Sequence, residues 1–461
     1  MRETCDVAVV GAGASGLTAA RGLVAEGLDV IVLEARDRVG GRLWTRQVDG
    51  FTIELGGQWI SPEQTTLLEM IDELGLETFS RHREGDNIHV DRSGTVSRFT
   101  DDFPVGERTR AEIATLVATV DDLAREIDAE APWAHPRAAE LDSISWRDWL
   151  SSQTHDETAR ELVSIFIADG MLTKPSHAIS LLQALLMAAS AGGFTNLVDD
   201  ESLLDQRVVG GLQLVPLRIA GQLGDRVRLG QPVRHVAWSD DDVVVTTDST
   251  AVDAKAVVVA VPPSVYATIA FEPALPGGVL QMHQHLSMGL VIKVQAGYDR
   301  PFWRSRGLSG TAFGPHLALH EAYDNTGPDD RGGLLVGFVS DAKADAMLEL
   351  DAEARRSHLL DCLATYFGPE ALDPAVYAES EWADEEWTRG AYAASFDLGG
   401  LSRYGSRLRE PVGPIHWSTS DLAGAGYQHV DGAIRIGRQT AVAVAERLRA
   451  ADLSNPLKES R

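Results

Sequence analysis

Cysteine is almost missing from this 461-residue chain, which carries only Cys5, read in the first strand, and Cys362, read in a helix. Two thiols so placed do not make a disulfide framework, and a reducing compartment suits them. Positive charge is also short: 41 Lys and Arg stand against 68 Asp and Glu, a formal net charge of −27. That balance disfavours nucleic acid and anionic membrane surfaces as partners and would attract a cationic small molecule. No apolar run approaches the ~18 residues that a membrane-spanning helix needs. The first apolar run reads as a strand rather than a signal-peptide core, and residues 453–461 are polar, so neither a leader nor a tail anchor is expected. A cytoplasmic location is the expectation. No internal repeat, low-complexity run or metal-ligand set stands out.

What is present is ordinary globular composition, 44% hydrophobic and 24% charged. Since single cores stop growing near ~250–300 residues, a chain of this length is expected to form at least two domains. Its first forty-two residues organise it. Val7–Val10 is a short apolar run of the kind carried by a strand buried on both faces, and Gly11, Gly13 and Gly16 follow at G-x-G-x-x-G spacing. The first glycine permits a tight turn, the second lets backbone approach a pyrophosphate, and the third lets the next helix pack closely. That helix, expected from Ser15 to Glu26, points its N-terminal amides at a diphosphate, and Gly27 ends it. A second strand, Val30–Leu33, delivers Glu34, whose carboxylate can accept from a ribose. Strand, glycine turn, helix and acid together predict a dinucleotide site.

Further on, Phe51 to Gly57 reads as a strand and glycine turn, and a helix over Glu63–Leu74 places Leu67, Leu68, Ile71 and Leu74 on one face. A hairpin is expected over Asp86–Val96, then a helix over Glu107–Glu130 and more helices to Ser190. Trp133, Trp146 and Trp149 read as packing residues. Strands are expected at Val227–Leu229, Val233–Trp238, Val243–Thr247 and Ala256–Val261. Leu286–Tyr298 reads as one strand carrying Lys293 inside an apolar run, where an unpaired ammonium is costly. Strands follow around Leu317–Asp324 and over Gly333–Val339, then helices over Ala352–Phe367 and to Ala450.

The N-terminal βαβ unit, Arg38-Val-Gly-Gly-Arg42, Gly56-Gly57, Lys293 with Arg300-Pro-Phe-Trp303, Trp382, Tyr392 and the closing Asp421 to Gly432 together resemble the flavin-containing monoamine oxidase family over nearly the whole chain. Gly426-Tyr-Gln-His-Val-Asp-Gly-Ala433 resembles the putrescine-oxidising bacterial members. The resemblance implies an α/β, two-domain fold of amine oxidase type. A Rossmann-like FAD-binding domain would be built from residues 1–80, 208–285 and 386–461, and a mixed-sheet and helical substrate domain from 81–207 and 286–385.

It also implies FAD as cofactor, held by Gly11, Gly13, Ser15, Gly16, Glu34 and Arg36 at the nucleotide end and by Gly41, Arg42, Gly56, Gly57, Gln58 and Trp59 nearer the ring. Val233, Trp382, Asp421, His429 and Val430 complete that expected set, although Val233 reads equally well as a core strand position. Ala391 stands where membrane-bound relatives tether flavin through cysteine, so noncovalent FAD is expected. Lys293 is the lysine that in the family holds a water against the flavin. Tyr392 and His429 match the family's two aromatic walls, a histidine replacing the usual second tyrosine. Glu321 matches the far end of the cavity in putrescine-oxidising relatives; without the resemblance it reads as a solvated strand residue. The implied activity is oxidative deamination of a primary amine, putrescine above all, with O2 reduced to hydrogen peroxide and ammonia released, in a homodimer. Two other readings stay open: an oxidase of monoamines, polyamines or L-amino acids, for which Arg304 and Arg306 could clamp a carboxylate, and a flavin-binding scaffold without turnover.

Overall fold

The computed structural model describes residues 2–198 and 204–454, so most of the polar C-terminal stretch lies outside the described residues. Val7–Val10 and Val30–Leu33 are fully buried, as their unbroken apolar runs require, and sit centrally in a five-stranded parallel sheet. The strand order is Val227–Arg228, Val30–Leu33, Val7–Val10, Ala256–Val259 and Ile415–Trp417. Three stretches far apart in sequence therefore meet in one sheet. The helix Ala14–Ala25 packs against it and against the closing helix Val430–Ser454. Residues Arg2–Thr4, Ala251–Ala254, Val243–Thr247, Val233–Trp238 and Ala270–Glu272 form a second, mixed sheet.

The largest sheet has seven strands, in the order Val376–Glu381, Val291–Tyr298, Gly333–Ser340, Glu321–Asp324, Leu308–Phe313, Asp86–Val90 and Val96–Phe99. Every pair is antiparallel except Leu308–Phe313 with Asp86–Val90. Four adjacent strands, from Val291–Tyr298 to Leu308–Phe313, are buried on both faces, because one face meets Ala352–Phe367 and the other meets the cavity. A layer of helices, including Glu107–Arg125, Glu157–Ile167 and Leu181–Ser190, closes the molecule. Trp146 and Trp149 are buried there and stack with centroids 5.2 Å apart.

Several local expectations need correction. Leu286–Tyr298 is two strands: Leu286–Met288 pairs with Ala394–Phe396, whereas Val291–Tyr298 joins the large sheet. The break falls at Gly289, which lies so close to Thr173 and to the Leu172 and Ala391 carbonyls that a side chain would not fit. Cys5 lies in the link between two strands rather than inside one. The helix expected to reach Glu130 stops at Arg125, with Pro132 soon after. On Thr65–Glu73 the buried positions are Thr66, Leu67, Met70 and Ile71, so Leu68 and Leu74 lie toward the edge. Ala251–Ala254 is a strand that alternation of polar and small residues did not announce.

Candidate active site

A single cavity of about 270 Å3 runs from the glycine turn to the large sheet. At its first end Gly11 has φ +103 and donates its N–H to Leu33 O at 2.8 Å, tying the turn to the second strand. A side chain on Gly16 would run into the Gly11 carbonyl, which is the close helix–strand approach expected of the third glycine. The helix Ala14–Ala25 starts from Gly13 without a side-chain cap and without an acidic residue in its first turn. Its first amides thus keep their donor capacity and partial positive charge. Glu34 accepts from Ala12 N at 2.7 Å and from Arg36 N at 3.0 Å. A carboxylate has about four lone-pair positions, so acceptor capacity remains.

Gly41, Arg42, Gly56, Gly57, Gln58, Trp59 and Trp382 line the middle of the cavity. Arg42 is held by Asp421 at 2.6 Å and donates to Tyr392 O at 2.7 Å. Asp421 itself does not line the cavity. It sits behind Arg42 and also accepts from Ala394 N and Thr419 Oγ1. Burial alone would raise its carboxyl, but Arg42 and these hydrogen bonds outweigh burial and hold it below the ordinary range. Arg36 lines the cavity while paired with Glu385 and with Thr388 Oγ1 at 2.7 Å. Ser15, Val233, Ala391 and Val430 are wall residues too.

At the second end Lys293 is only 5% exposed and lines the cavity. Its Nζ donates to Gly56 O at 2.8 Å and to Gln58 Oε1, with the Trp59 and Phe338 rings 5.7 and 6.0 Å away. Burial pulls this ammonium down to about 7, against the attraction of Glu54. Tyr392 lines the same space, and burial pushes its phenol well above the ordinary range. His429 donates from Nδ1 to Tyr427 O at 2.9 Å, leaving Nε2 as the acceptor; burial lowers its pKa.

Glu321 is 7% exposed, so the solvated-strand alternative does not hold. Its Oε2 accepts from Tyr323 OH at 2.9 Å. The sheet register pairs Lys293 with Phe338 and Phe338 with Glu321, which places the three side chains in one row across adjacent strands. Two inter-strand steps separate the lysine and glutamate backbones by roughly 10 Å. Phe338 was not singled out from sequence, and neither were Tyr323, Gln428, Phe166, Gly170 and Met171, which also line the cavity. Gly170 closes the Glu321 end: a Cβ there would lie 3.9 Å from both carboxylate oxygens. No local pattern marks these positions, because they converge only through strand register and an irregular helix over Ala168–Leu172. Arg304 and Arg306 pair with Asp324 and Glu370 and do not line the cavity. Among the described residues no cluster could hold a metal ion, and no helix is long and apolar enough to cross a membrane.

The pattern of the family described as flavin containing amine oxidoreductase matches residues 14–445. The chain belongs to that family. It is 57% identical over 452 residues to putrescine oxidase of Kocuria rosea, covering 95% of each chain. With the flavin-containing amine oxidase B of Sus scrofa it shares 35% identity over 449 residues, 96% of this chain and 86% of that one. A solved structure of putrescine oxidase bound to putrescine superposes with a TM-score of 0.95 at 55% identity, covering 97% of this chain and 100% of the other. The fold of this family member is thus the amine oxidase fold, with a five-stranded parallel sheet beside a large mixed sheet.

Proposed function

We propose that this flavin amine oxidase holds FAD noncovalently and oxidises a short diamine, putrescine above all. The observation that carries the substrate is the row Lys293–Phe338–Glu321, which places a buried carboxylate about two strands from the lysine end of the same cavity. The likeness to putrescine oxidase supports the same reading.

FAD fits the donors present. Bare backbone at Gly11 and Gly13, the uncapped helix start with Ser15, and the spare acceptor capacity of Glu34 suit a diphosphate and a ribose, with Gly16 letting the helix pack close behind the turn. Gly41, Arg42, Gly56, Gly57, Gln58, Trp59 and Trp382 would hold the ring end, with Arg36, Val233 and Val430 as further walls; Asp421 would act through Arg42. Ala391 offers a methyl group where a thioether needs sulfur, and neither Cys5 nor Cys362 lines the cavity. Acid denaturation is expected to release the flavin into the filtrate; yellow colour retained on the precipitated chain would overturn noncovalent binding.

Bound there, FAD would supply the hydride acceptor for the carbon beside an amine nitrogen, with O2 as the final oxidant and hydrogen peroxide as its product. The chain's own residues do the rest. Glu321 pairs with the distant ammonium of the diamine, since that charge would otherwise be buried without a partner. Tyr392 and His429 wall the reacting amine, and the His429 Nε2 presents an acceptor rather than a charge. Lys293 holds a near-neutral nitrogen beside the reacting end. Hydrolysis of the imine product then gives ammonia and, from putrescine, 4-aminobutanal. A cytoplasmic homodimer belongs to the same proposal.

The test compares two substrates that differ only in the second amine. Glu321→Gln is expected to lower kcat/KM for putrescine by the ~1.5–3 kcal/mol of one charge-assisted contact while sparing butylamine. Equal losses for both amines would sink the assignment. Failure of both amines to bleach the yellow protein anaerobically would sink the oxidase reading itself.

A further inference from the structure

The hydrogen bond from Lys293 to Gln58 is the first link of a longer chain. Gln58 Nε2 donates to Asn325 Oδ1 at 2.5 Å, Asn325 Nδ2 donates to Gln295 Oε1 at 3.0 Å, and Gln295 Nε2 donates to the main-chain oxygen of Glu54 at 2.9 Å. All three amides are buried. Every link runs in the same sense, and the ends enforce that sense. A lysine nitrogen bearing its protons only donates here, and a main-chain carbonyl only accepts, so each amide has one permitted orientation. Turning any of them would set donor against donor on one side and acceptor against acceptor on the other, in a buried site where unmade hydrogen bonds are expensive. The far end is clamped as well: Arg207 pairs with Glu54 at 2.7 Å and donates to Asn325 O at 2.5 Å.

We propose that Gln58, Asn325 and Gln295 form a one-way amide relay that positions Lys293, committing two of its N–H bonds to Gln58 and Gly56 and leaving its third valence facing the cavity. That third position is an N–H when the lysine is charged and a lone pair when it is neutral. One proton therefore moves to or from a cavity water at Nζ without breaking either held bond. Asn325 and Gln295 do not line the cavity and act only through Gln58. The ionisable groups facing the lysine are Glu54, which favours its charged form, and Arg207, which opposes it.

This inference rests on the oxidase reading only for the importance of Lys293; its test uses no amine, so the two fail separately. The flavin-loaded enzyme is labelled with 13Cε-lysine, the Lys293 signal is assigned by its loss in Lys293→Met, and its shift is followed against pH. Gln295 neither hydrogen-bonds the lysine nor lines the cavity, yet Gln295→Met removes the acceptor of Asn325 Nδ2, so Asn325 and Gln58 are free to turn and Gln58 Oε1 can be withdrawn from the ammonium. The Lys293 midpoint should fall below its value near 7 by about one unit, a tenfold change in the proton equilibrium. Gln58→Glu keeps the shape but supplies a carboxylate, and should raise the midpoint by at least about one unit. Amides with a merely structural role would lower the melting temperature and leave the midpoint in place, within about 0.2 units, in Gln295→Met; that result overturns the relay. If Gln295→Met does not fold with flavin, Gln58→Glu decides: a raised midpoint supports the relay and an unmoved one refutes it.

Discussion

At the glycine-turn end of the cavity, Gly11 and Gly13 present backbone while Gly16 packs behind the turn, and the carboxylate of Glu34 is tied by two main-chain amides. At the end proposed for the amine, Lys293, Glu321, Tyr392 and His429 present side chains, and three of them, Lys293, Glu321 and Tyr392, neighbour the same ring, Phe338. The first end works by leaving atoms out. Its donors are amides whose chemistry does not change with pH, and its tolerance is steric. The second end works by what its side chains carry. There burial sets the chemistry, pulling Lys293 toward neutrality and His429 away from its charged form. One end is thus sensitive to added volume, the other to charge and partner.

Substitutions at each end should separate these two sensitivities. The largest effect is expected from Lys293→Met, which should lower turnover about 10²–10⁴-fold, the usual worth of a positioned proton-transfer group, with flavin content retained. Stopped-flow kinetics with putrescine reads the first and absorbance the second; turnover within a few-fold of the parent would break the contrast. The same variant tests the burial of the ammonium. The unfolded lysine holds its proton up to 10.5 and the buried one only to about 7, so between these values the unfolded chain binds more protons and stability rises with pH. Urea titrations across that window should show a shallower rise in Lys293→Met.

Next in size, Gly16→Ala adds a methyl group against the Gly11 carbonyl and should cost ~1–3 kcal/mol of stability, with flavin content reduced. The fraction that retains flavin should keep its putrescine-to-butylamine preference. A changed preference would mean that the two ends are coupled. The smallest effect is expected from His429→Phe. Burial lowers the folded pKa of His429, so from that lowered value up to 6.5 the unfolded chain binds more protons, and this histidine's contribution is lost as pH falls through the folded pKa. The variant should flatten the acid limb of the stability curve and of the turnover profile; unchanged limbs would remove His429 as a titrating wall.

The contrast also governs how much could be read beforehand. Val7–Val10, Val30–Leu33 and Ala352–Phe367 appear at their expected bounds, because a buried apolar run or a capped amphipathic helix is specified by residues close in sequence. Lys293 was legible as an anomaly, a lysine inside an apolar strand, but its partners Gly56 and Gln58 lie more than two hundred residues away. Glu321 looked like surface until the register set it beside Phe338 and under Gly170. Asp421 carries a closing motif of the family, yet its place behind Arg42 follows from the meeting of two chain segments, which no spacing within either segment encodes.

By itself, then, the amino-acid order determined the glycine turn, the helix that leaves it and the acid that follows, since each depends on backbone conformation and contacts within about forty residues. Tertiary structure alone decided which side chains share the cavity, in what row, and with what charge. Those properties arise from strand register and desolvation, and both exist only once distant segments have packed together.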